Sequence, residues 1–495
     1  MEKFVSLNKK NIFFILIFLF YFFFNLLRFD FHYFNLEWYF IEYAKHLNVS
    51  DYYFSREIFR DNQANTTFYP LLISLISNVN FNEINLIRLL RVINFFTFFA
   101  LVAIFWKYEK VLNYKNKIIF TLIILFSPVF FVYIFRVYPD ILSFVLGYIG
   151  FFFIEKNKFK ISLSIFLAAM SFLIKPISII LAPFYFIKIF KMCENNFKKT
   201  LKLLMLYLFF IIFFYSLLFL FYEKSFFSKG YTEIYLNFSL KNSVYNFLHY
   251  LFYISFLILP FLVVNVFFLF KKKKYLFLYF IISFFFTILC NYYNNFINSH
   301  GEMNYGFLTS FNFFYSSITI FFIFFCLICF LHNIFSKKKN LNLFFPILIS
   351  ILILSALVFR PAQRYLIYIL PFVIYLQILI FQNNNIKSLF YFYFYFAIFI
   401  YLFVNIGHQY YQYTTQVAYK NIYEFILNKN ISKDTNPGII FHSYGYKFNE
   451  FLLDRSDRVY PRKYIITECN LNTNSFYKKK INIFKNNYIC LELKN

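Results

Sequence analysis

The chain has 495 residues, of which 61% are hydrophobic and only 14% charged, and its formal net charge is +27. Soluble globular proteins are typically about half apolar and about one quarter charged, so this composition excludes a soluble domain. The positive charge does not imply nucleic acid as a partner, because lysine clusters also mark the cytoplasmic loops of membrane proteins. We therefore expect a membrane protein.

Thirteen apolar runs in residues 1–405 are candidates for helices that cross a bilayer. The predicted spans are 12–28, 83–106, 118–134, 141–154, 161–174, 177–190, 203–222, 248–270, 275–290, 307–331, 342–358, 365–381 and 389–405. The predicted fold is thus an all-α polytopic membrane protein with about 13 transmembrane helices.

The loop lysines form clusters that alternate along this series of spans. They precede the first span or follow an even-numbered one: Lys3, Lys9 and Lys10; Lys107 to Lys117; Lys156 to Lys160; Lys191 to Lys202; Lys271 to Lys274; and Lys337 to Lys339. The positive-inside rule makes that side of the membrane the cytoplasm. We predict a multi-pass protein of the bacterial inner membrane, whose active site faces the periplasm or the exterior.

Acidic residues collect on the opposite side, in the first long loop, residues 29–82. Six of the 22 acids of the chain, Asp30, Glu37, Glu42, Asp51, Glu57 and Asp61, fall between positions 28 and 66, where an even spread would place about two. One explanation for this cluster is that acids are depleted from cytoplasmic loops. That explanation is weak, because Asp and Glu contribute little to the orientation of membrane proteins. The alternative is that these acids line a site that faces outward.

The tail, residues 406–495, is less hydrophobic and contains a Pro-Gly turn at 437–438. A helix near 416–428 and a strand at 438–442 predict a small α/β extracytoplasmic domain. Cys469 and Cys490 both lie in this tail, but the sequence leaves their pairing open, because it fixes no distance between them. Cys326 and Cys329 lie inside an apolar run, which favours helix packing over a metal site.

Several charged residues lie at predicted external span ends. The cations there are Arg136, Lys175, Arg360 and Arg364. A cation at a span end needs no function, because its side chain can reach the interface. Lys175 is the strongest candidate, since it lies in an apolar hairpin. Asp140 follows Pro139 at a span start, where it could cap the helix or act in catalysis.

The motifs FYPLLISLI, NLIRLLRVINFF, RVYPDILSFVLGY, AAMSFLIKPISIILAPFYF and RPAQRYLIYILPFVIYL follow the acidic loop in this order. This order resembles the GT-C superfamily, most closely the family of protein O-mannosyltransferases and the lipid A aminoarabinose transferase. Of that family's acidic pair, which falls on Leu36 and Glu37, only Glu37 is kept, and the family's lysine before a proline falls on Tyr69. The Arg-Tyr motif at Arg364 is also similar to that of GPI and dolichol mannosyltransferases.

The resemblance implies a GT-C-like glycosyltransferase, with a hexosyl or pentosyl group moving from a polyprenyl-phosphate donor to a lipid, glycan or protein acceptor, without metal or cofactor. Such a transfer needs a carboxylate base, cations for the phosphate and a groove for the lipid. The catalytic candidates are Glu37, Asp61 and Asp140, with Glu37 first. The substrate-binding candidates are Arg136, Lys175, Arg360, Arg364, Tyr365 and Glu42.

Two alternatives to this enzyme remain open. A transporter or flippase of lipid-linked saccharides typically shows internal repeats and broken helices with polar residues at mid-membrane. We find no repeat between the two halves of the chain, and the polar residues gather at one surface. A polysaccharide polymerase more often has its largest external loop late in the chain, whereas a large one comes first here.

Overall fold

The structure is a computed structural model that describes most of the chain. The described residues are 9–29, 37, 40–41, 44, 68–77, 83–222, 239–270, 275–292, 317–336, 338–358, 363–382, 389–430, 435–436, 464–469, 475, 477–480 and 488–493. Glu42, Asp61 and Arg360 lie outside the described residues, as does the strand predicted at 438–442.

Helices account for nearly all of the described chain up to residue 430. They are α1 (Lys9–Phe24), α2 (Leu26–Phe29), α3 (Phe68–Ser77), α4 (Glu83–Tyr108), α5 (Tyr114–Phe126), α6 (Pro128–Tyr133), α7 (Pro139–Phe152), α8 (Lys158–Ile174), α9 (Ala182–Met192), α10 (Phe197–Tyr222), α11 (Leu240–Leu257), α12 (Leu259–Phe270), α13 (Leu276–Tyr292), α14 (Ser317–Phe335), α15 (Lys338–Leu357), α16 (Leu370–Gln382) and α17 (Leu389–Asn428). Two 3-10 helices, η1 (Pro176–Leu181) and η2 (Gln363–Tyr368), precede α9 and α16.

The helices confirm a helical membrane protein. Within the described residues, five are long and apolar enough to cross a bilayer, and α11 with α12 form a sixth candidate bent by 86°. Shorter apolar helices cover 12–24, 139–152, 276–289 and 370–382. Helix occurs at each of the thirteen predicted spans, but the number that cross the membrane stays a prediction.

Prolines divide several of these segments. Pro128, Pro139 and Pro176 each occupy a first helical position, where the missing N–H of proline costs no hydrogen bond. The breaks before α6, α7 and η1 all lie at the end of the bundle opposite the lysine clusters. There α7, η1 and η2 pack against one another. We call this end the acidic face and the other end the lysine-rich face.

The last helix, α17, has 40 residues. At 1.5 Å per residue it is about 60 Å long, about twice the thickness of a bilayer core. The amides of Asn405 and Gln409 donate to the carbonyls of Phe126 (2.8 Å) and Phe24 (3.0 Å), at the acidic face. The helix therefore continues through the predicted boundary at 405–406 and extends beyond the bundle.

A four-stranded sheet with strand order β1-β2-β4-β3 lies against the end of α17. The strands are β1 (Thr435–Asn436), β2 (Tyr464–Cys469), β3 (Tyr477–Lys480) and β4 (Tyr488–Leu493), and all pairings are antiparallel except β1 with β2. Tyr477 stacks on Phe425 of α17 with ring centroids 4.4 Å apart. Cys469 and Cys490 form a disulfide between β2 and β4.

Candidate active site

Glu37, the first candidate for the base, is fully buried and uses both carboxylate oxygens. Oε2 pairs with Nη2 of Arg91 at 2.7 Å, and both side chains are 0% exposed. Oε1 accepts a hydrogen bond from the backbone N–H of Val137 at 2.7 Å. Glu37 lies in a helical segment. The described residues three, four and seven positions after it are also buried, namely Phe40, Ile41 and Ala44. The helix containing Glu37 thus turns one face into the protein.

Arg91, from the middle of α4, holds several segments together. Its Nη1 donates to the carbonyls of Arg28 (3.1 Å) and Phe29 (3.2 Å), while Nη2 holds Glu37. Arg28 in turn donates to the carbonyls of Phe131 (2.5 Å) and Val132 (3.1 Å) in α6. Two buried arginines therefore join the end of the first span, α4 and α6 to the loop that carries Glu37.

Asp140 has a different environment from Glu37. It is 1% exposed, and its Oδ1 accepts no hydrogen bond from any of the described residues. It lies in the first turn of α7, but the residue at the N-cap position is Tyr138, and the start of the helix receives no side-chain cap. The capping role considered for Asp140 is therefore not used.

Tyr69, where the resembling family has a lysine, is buried and close enough to both carboxylates to be affected by their charges. Burial, followed by the negative charges of Glu37 and then Asp140, raises the pKa of Tyr69 well above its usual value. Its hydroxyl therefore remains protonated at neutral pH and is available as a hydrogen-bond donor. The ring of Phe40 packs edge-on against Tyr69, with centroids 5.4 Å apart, which fixes the phenol in place.

Two cations from distant parts of the chain meet at one tyrosine. Lys175, at the α8–η1 break, places its ammonium 5.9 Å from the ring centroid of Tyr365 in η2. The guanidinium of Arg364 lies 5.2 Å from the same centroid, and its Nη2 lies 3.4 Å from the Tyr365 hydroxyl. Lys175 and Tyr365 are only 5% and 1% exposed, so this cluster is almost entirely desolvated.

The same layer includes the turn RVYPD. Arg136 is buried, with its guanidinium 5.2 Å and 5.6 Å from the ring centroids of Tyr133 and Tyr138. The amide of Asn94 in α4 donates to the carbonyl of Arg136 at 2.7 Å. The hydroxyl of Tyr368 in η2 donates to the carbonyl of Asp140 at 3.2 Å. The turn is thus fixed from both sides, and η2 is bonded directly to the start of α7.

The buried charges in this layer include both signs. The cations are Arg28, Arg91, Arg136, Lys175 and Arg364, and the anions are Glu37 and Asp140. Arg28 and Arg91 hold backbone carbonyls and Glu37, so their role is structural. The other three lie beside tyrosines of the same layer: Arg136 beside Tyr133 and Tyr138, and Lys175 and Arg364 beside Tyr365. Cations held in a desolvated layer can stabilise an anionic ligand.

The structure places Glu37, Arg136, Asp140, Lys175, Arg364 and Tyr365 at one end of the bundle. Sequence reasoning did not select Arg28, Arg91 or Tyr69. The signal for Arg91 was present, because a cation inside an apolar helix normally has a specific partner. A buried polar stripe on α17, formed by Asn405, His408, Gln412 and Gln416, was also missed. Its spacing of three and four residues is the signal that could have found it.

Comparison of the chain with models of protein families, with curated proteins and with solved structures gives no match. Any function for this site therefore has to be argued from its own geometry.

Proposed function

We propose that this protein is a membrane glycosyltransferase that moves a sugar from a polyprenyl-phosphate donor to a hydroxyl acceptor at the acidic face. The observation that carries the proposal is Asp140. It is a buried carboxylate with an oxygen that no described residue occupies, in the layer where Lys175 and Arg364 converge on Tyr365. A base for the acceptor and cations for a phosphate are the two components that this reaction needs.

In the proposed reaction Asp140 is the general base. The acceptor oxygen attacks the anomeric carbon of the sugar, its proton passes to the Asp140 carboxylate, and the bond from that carbon to the phosphate oxygen breaks. The products are the glycosylated acceptor and polyprenyl phosphate. A general base typically contributes about a hundredfold to ten-thousandfold to such a rate.

Lys175 and Arg364 are proposed to hold the donor phosphate. Negative charge accumulates on the leaving phosphate as the glycosidic bond breaks, and preorganised cations in a desolvated site stabilise that charge more than water does. Tyr365 supports both cations with its ring, and the protonated hydroxyl of Tyr69 supplies a further donor. Arg136 lies four residues before Asp140, in the bend that precedes α7.

Glu37 is proposed to position the site. Since both of its oxygens are bonded to Arg91 and to the Val137 N–H, it holds the RVYPD turn, and with it Asp140, against α4. This assignment reverses the order predicted from the sequence, in which Glu37 is the first candidate for the base. Glu37 keeps the geometry, and Asp140 performs the proton transfer.

A transporter of lipid-linked saccharides is the second candidate, because one observation favours it. The pair α11 and α12 is bent by 86° at a break in the apolar segment, and broken helices often carry the binding sites of transporters. The polar groups beyond this break bond to one another, however. The amide of Asn265 donates to Gln377 (3.2 Å), and the amide of Asn333 donates to Asn265 (3.0 Å). These bonds join α12, α14 and α16 and leave fewer groups for a saccharide.

The deciding experiment uses the full chain in lipid nanodiscs with a panel of polyprenyl-phosphate-linked hexoses and pentoses and a membrane extract as the source of acceptor. We expect release of polyprenyl phosphate from at least one donor. Asp140→Asn should lower that rate at least about a hundredfold. Glu194→Gln, an exposed acid at the lysine-rich face, serves as the matched control and should keep the wild-type rate.

Wild-type turnover by Asp140→Asn would remove the base assignment. Movement of an intact donor across proteoliposome membranes, without any cleavage by the wild-type protein, would support the transporter instead.

A further inference from the structure

A cavity of about 430 Å³ lies at the lysine-rich face, at the end of the bundle opposite the candidate site. Its size is within the range of small-molecule sites, about 300 to 1,000 Å³. The interior is formed by aromatic side chains of α4, α5, α7 and α16, among them Phe98, Phe105, Phe120, Phe151 and Phe372. These rings carry no hydrogen-bonding group, so this part of the lining suits an alkyl chain.

Charged residues occur only at the outer end of this cavity. Its two carboxylates already have partners. Glu109 Oε1 accepts from the N–H of Val111 (2.6 Å) and from the hydroxyl of Tyr375 (3.1 Å). Glu155 pairs with Lys160 at 2.6 Å. Glu155 is thus in an ion pair, whereas Glu109 accepts hydrogen bonds only from uncharged groups and keeps its negative charge.

Two lysines at the outer end have no such partner. The ammonium of Lys188, on α9, donates to the carbonyl of Phe151 at 2.6 Å and lies 4.3 Å from the centroid of the Phe151 ring. Among the described ion pairs, none includes Lys188 or its cavity neighbour Lys110, which is exposed. With Lys160, three lysines face the two carboxylates at this end, so the outer end of the aromatic cavity is net positive and complementary to an amphiphile with an anionic head.

We infer that this cavity binds one acyl chain of an anionic phospholipid of the cytoplasmic leaflet, with the lipid phosphate at Lys188 and Lys110. The inference rests on the lysine-rich face being cytoplasmic, and it is independent of the proposed transfer reaction. Anionic lipids are concentrated in that leaflet, and each nearby lysine strengthens their binding. The acyl chain would displace water from the rings of Phe98, Phe105 and Phe120. Burial of this apolar surface adds a favourable hydrophobic term to the binding free energy.

The test titrates the delipidated full-length protein with phosphatidylglycerol and counts bound lipid by native mass spectrometry. Lys188→Met keeps most of the side-chain volume and removes the charge, so it should weaken binding about fivefold. Val102→Phe adds a ring inside the cavity and should abolish this binding event. The matched controls lie on the same helices outside the cavity. Lys191→Met and Ala103→Phe, both at exposed positions, should bind as the wild type does.

Equal binding by the wild type, Lys188→Met and Val102→Phe would overturn the inference. So would binding of zwitterionic phosphatidylcholine as tightly as phosphatidylglycerol, or occupancy by palmitate alone. If Val102→Phe does not fold, Lys188→Met against Lys191→Met still decides the question, because both are made at the end of α9.

Discussion

At the scale of single residues, surroundings rather than chemical type distinguish the two buried acids. Glu37 and Asp140 are both almost fully buried; Glu37 bonds to the RVYPD turn at Val137, and Asp140 is the last residue of that turn. Glu37 accepts bonds from an arginine and a backbone N–H, whereas Asp140 keeps an oxygen that no described residue occupies. A carboxylate that is already saturated has little capacity to take a proton from a substrate. The positions of the donors around each acid therefore assign the roles.

The pairing of Glu37 with Arg91 gives the first prediction. Glu37→Ala or Arg91→Ala leaves an unpaired buried charge, which typically costs about 3 to 5 kcal/mol. Each variant should therefore melt well below the wild type in nanodiscs. The double variant should lose much less than the sum of the two, since neither charge remains. Additive losses would show that the two residues do not form one unit. Lys156→Ala at an exposed pair is the control and should not change the melting temperature.

The second prediction concerns Lys175 and Arg364. If both hold the donor phosphate, Lys175→Met and Arg364→Met should each raise the KM for the donor by about 30-fold or more, since loss of a buried charge contact typically costs about 2 to 5 kcal/mol. The melting temperature should stay near that of the wild type. Lys158→Met, at the lysine-rich face, is the control. An unchanged donor KM in both variants would assign the phosphate to other residues.

The sequence predicted part of this site because its charges occur in short motifs at span ends. RVYPD and the Lys175-Pro176 hairpin are visible in one stretch each, and the alternating lysines place them on the same side. The partner of Glu37 was not predictable in this way, because Arg91 lies 54 residues further along the chain and Val137 lies 100. Hydrophobic periodicity indicates which face of a helix is buried, but not which distant polar group it meets.

At the scale of elements, α7 and α8 pack so closely that a serine side chain on each helix reaches a backbone carbonyl of the other. Ser143 Oγ donates to the carbonyl of Ser171, and Ser171 Oγ donates to the carbonyl of Ser143, both at 2.8 Å. Small residues let transmembrane helices approach in this way. The close contact holds α7, which carries Asp140, beside the α8–η1 break, which carries Lys175.

The glycines of α7 give the third prediction. A Cβ at Gly150 would lie 2.8 Å from the backbone oxygen of Ser164 and would clash with the Tyr185 hydroxyl, so the helices would have to separate. At Gly147 the nearest atom is a terminal carbon of Leu181, at 2.6 Å, which can move. Gly150→Ala should therefore destabilise the protein by about 1 to 3 kcal/mol. Gly147→Ala should cost less. The reverse order of melting temperatures would contradict this packing.

Element positions were more predictable than element ends. Each predicted span coincides with helix, because an apolar run of this length has few other structures in a membrane. The predicted limit at 405 was set where hydrophobicity falls, but α17 continues to Asn428. Hydropathy reports where the surroundings become polar, whereas a helix ends where its backbone hydrogen bonds end. The polar stripe at His408, Gln412 and Gln416 continues the helical spacing into the polar region.

At the scale of the whole molecule, the two ends of the bundle have opposite character, and this gives the fourth prediction. The lysine-rich face carries loop cations and the apolar cavity, and the acidic face carries the buried site and α17. The positive-inside rule places the first in the cytoplasm. An impermeant maleimide should therefore label Lys429→Cys but not Lys158→Cys in intact cells, and both after permeabilisation. Both substitutions are at exposed positions. Labelling of Lys158→Cys alone in intact cells would show that the protein has the opposite orientation in the membrane.

The predicted orientation would put the tail sheet in an oxidising compartment, where its disulfide can persist. Trypsin cleaves after Lys478, Lys479 and Lys480, which separate Cys469 from Cys490 in the chain. The peptides that contain these cysteines should therefore stay joined before reduction and separate after it, as mass spectrometry of the digested protein would show.

The crosslink closes a loop of 21 residues, which typically contributes about 3 kcal/mol. The double variant Cys469→Ser and Cys490→Ser should therefore make the tail sensitive to protease, while the melting temperature of the helical bundle stays unchanged. Alkylation of both thiols without prior reduction would show instead that the tail is held only by its packing on α17, through Phe425 and Tyr477.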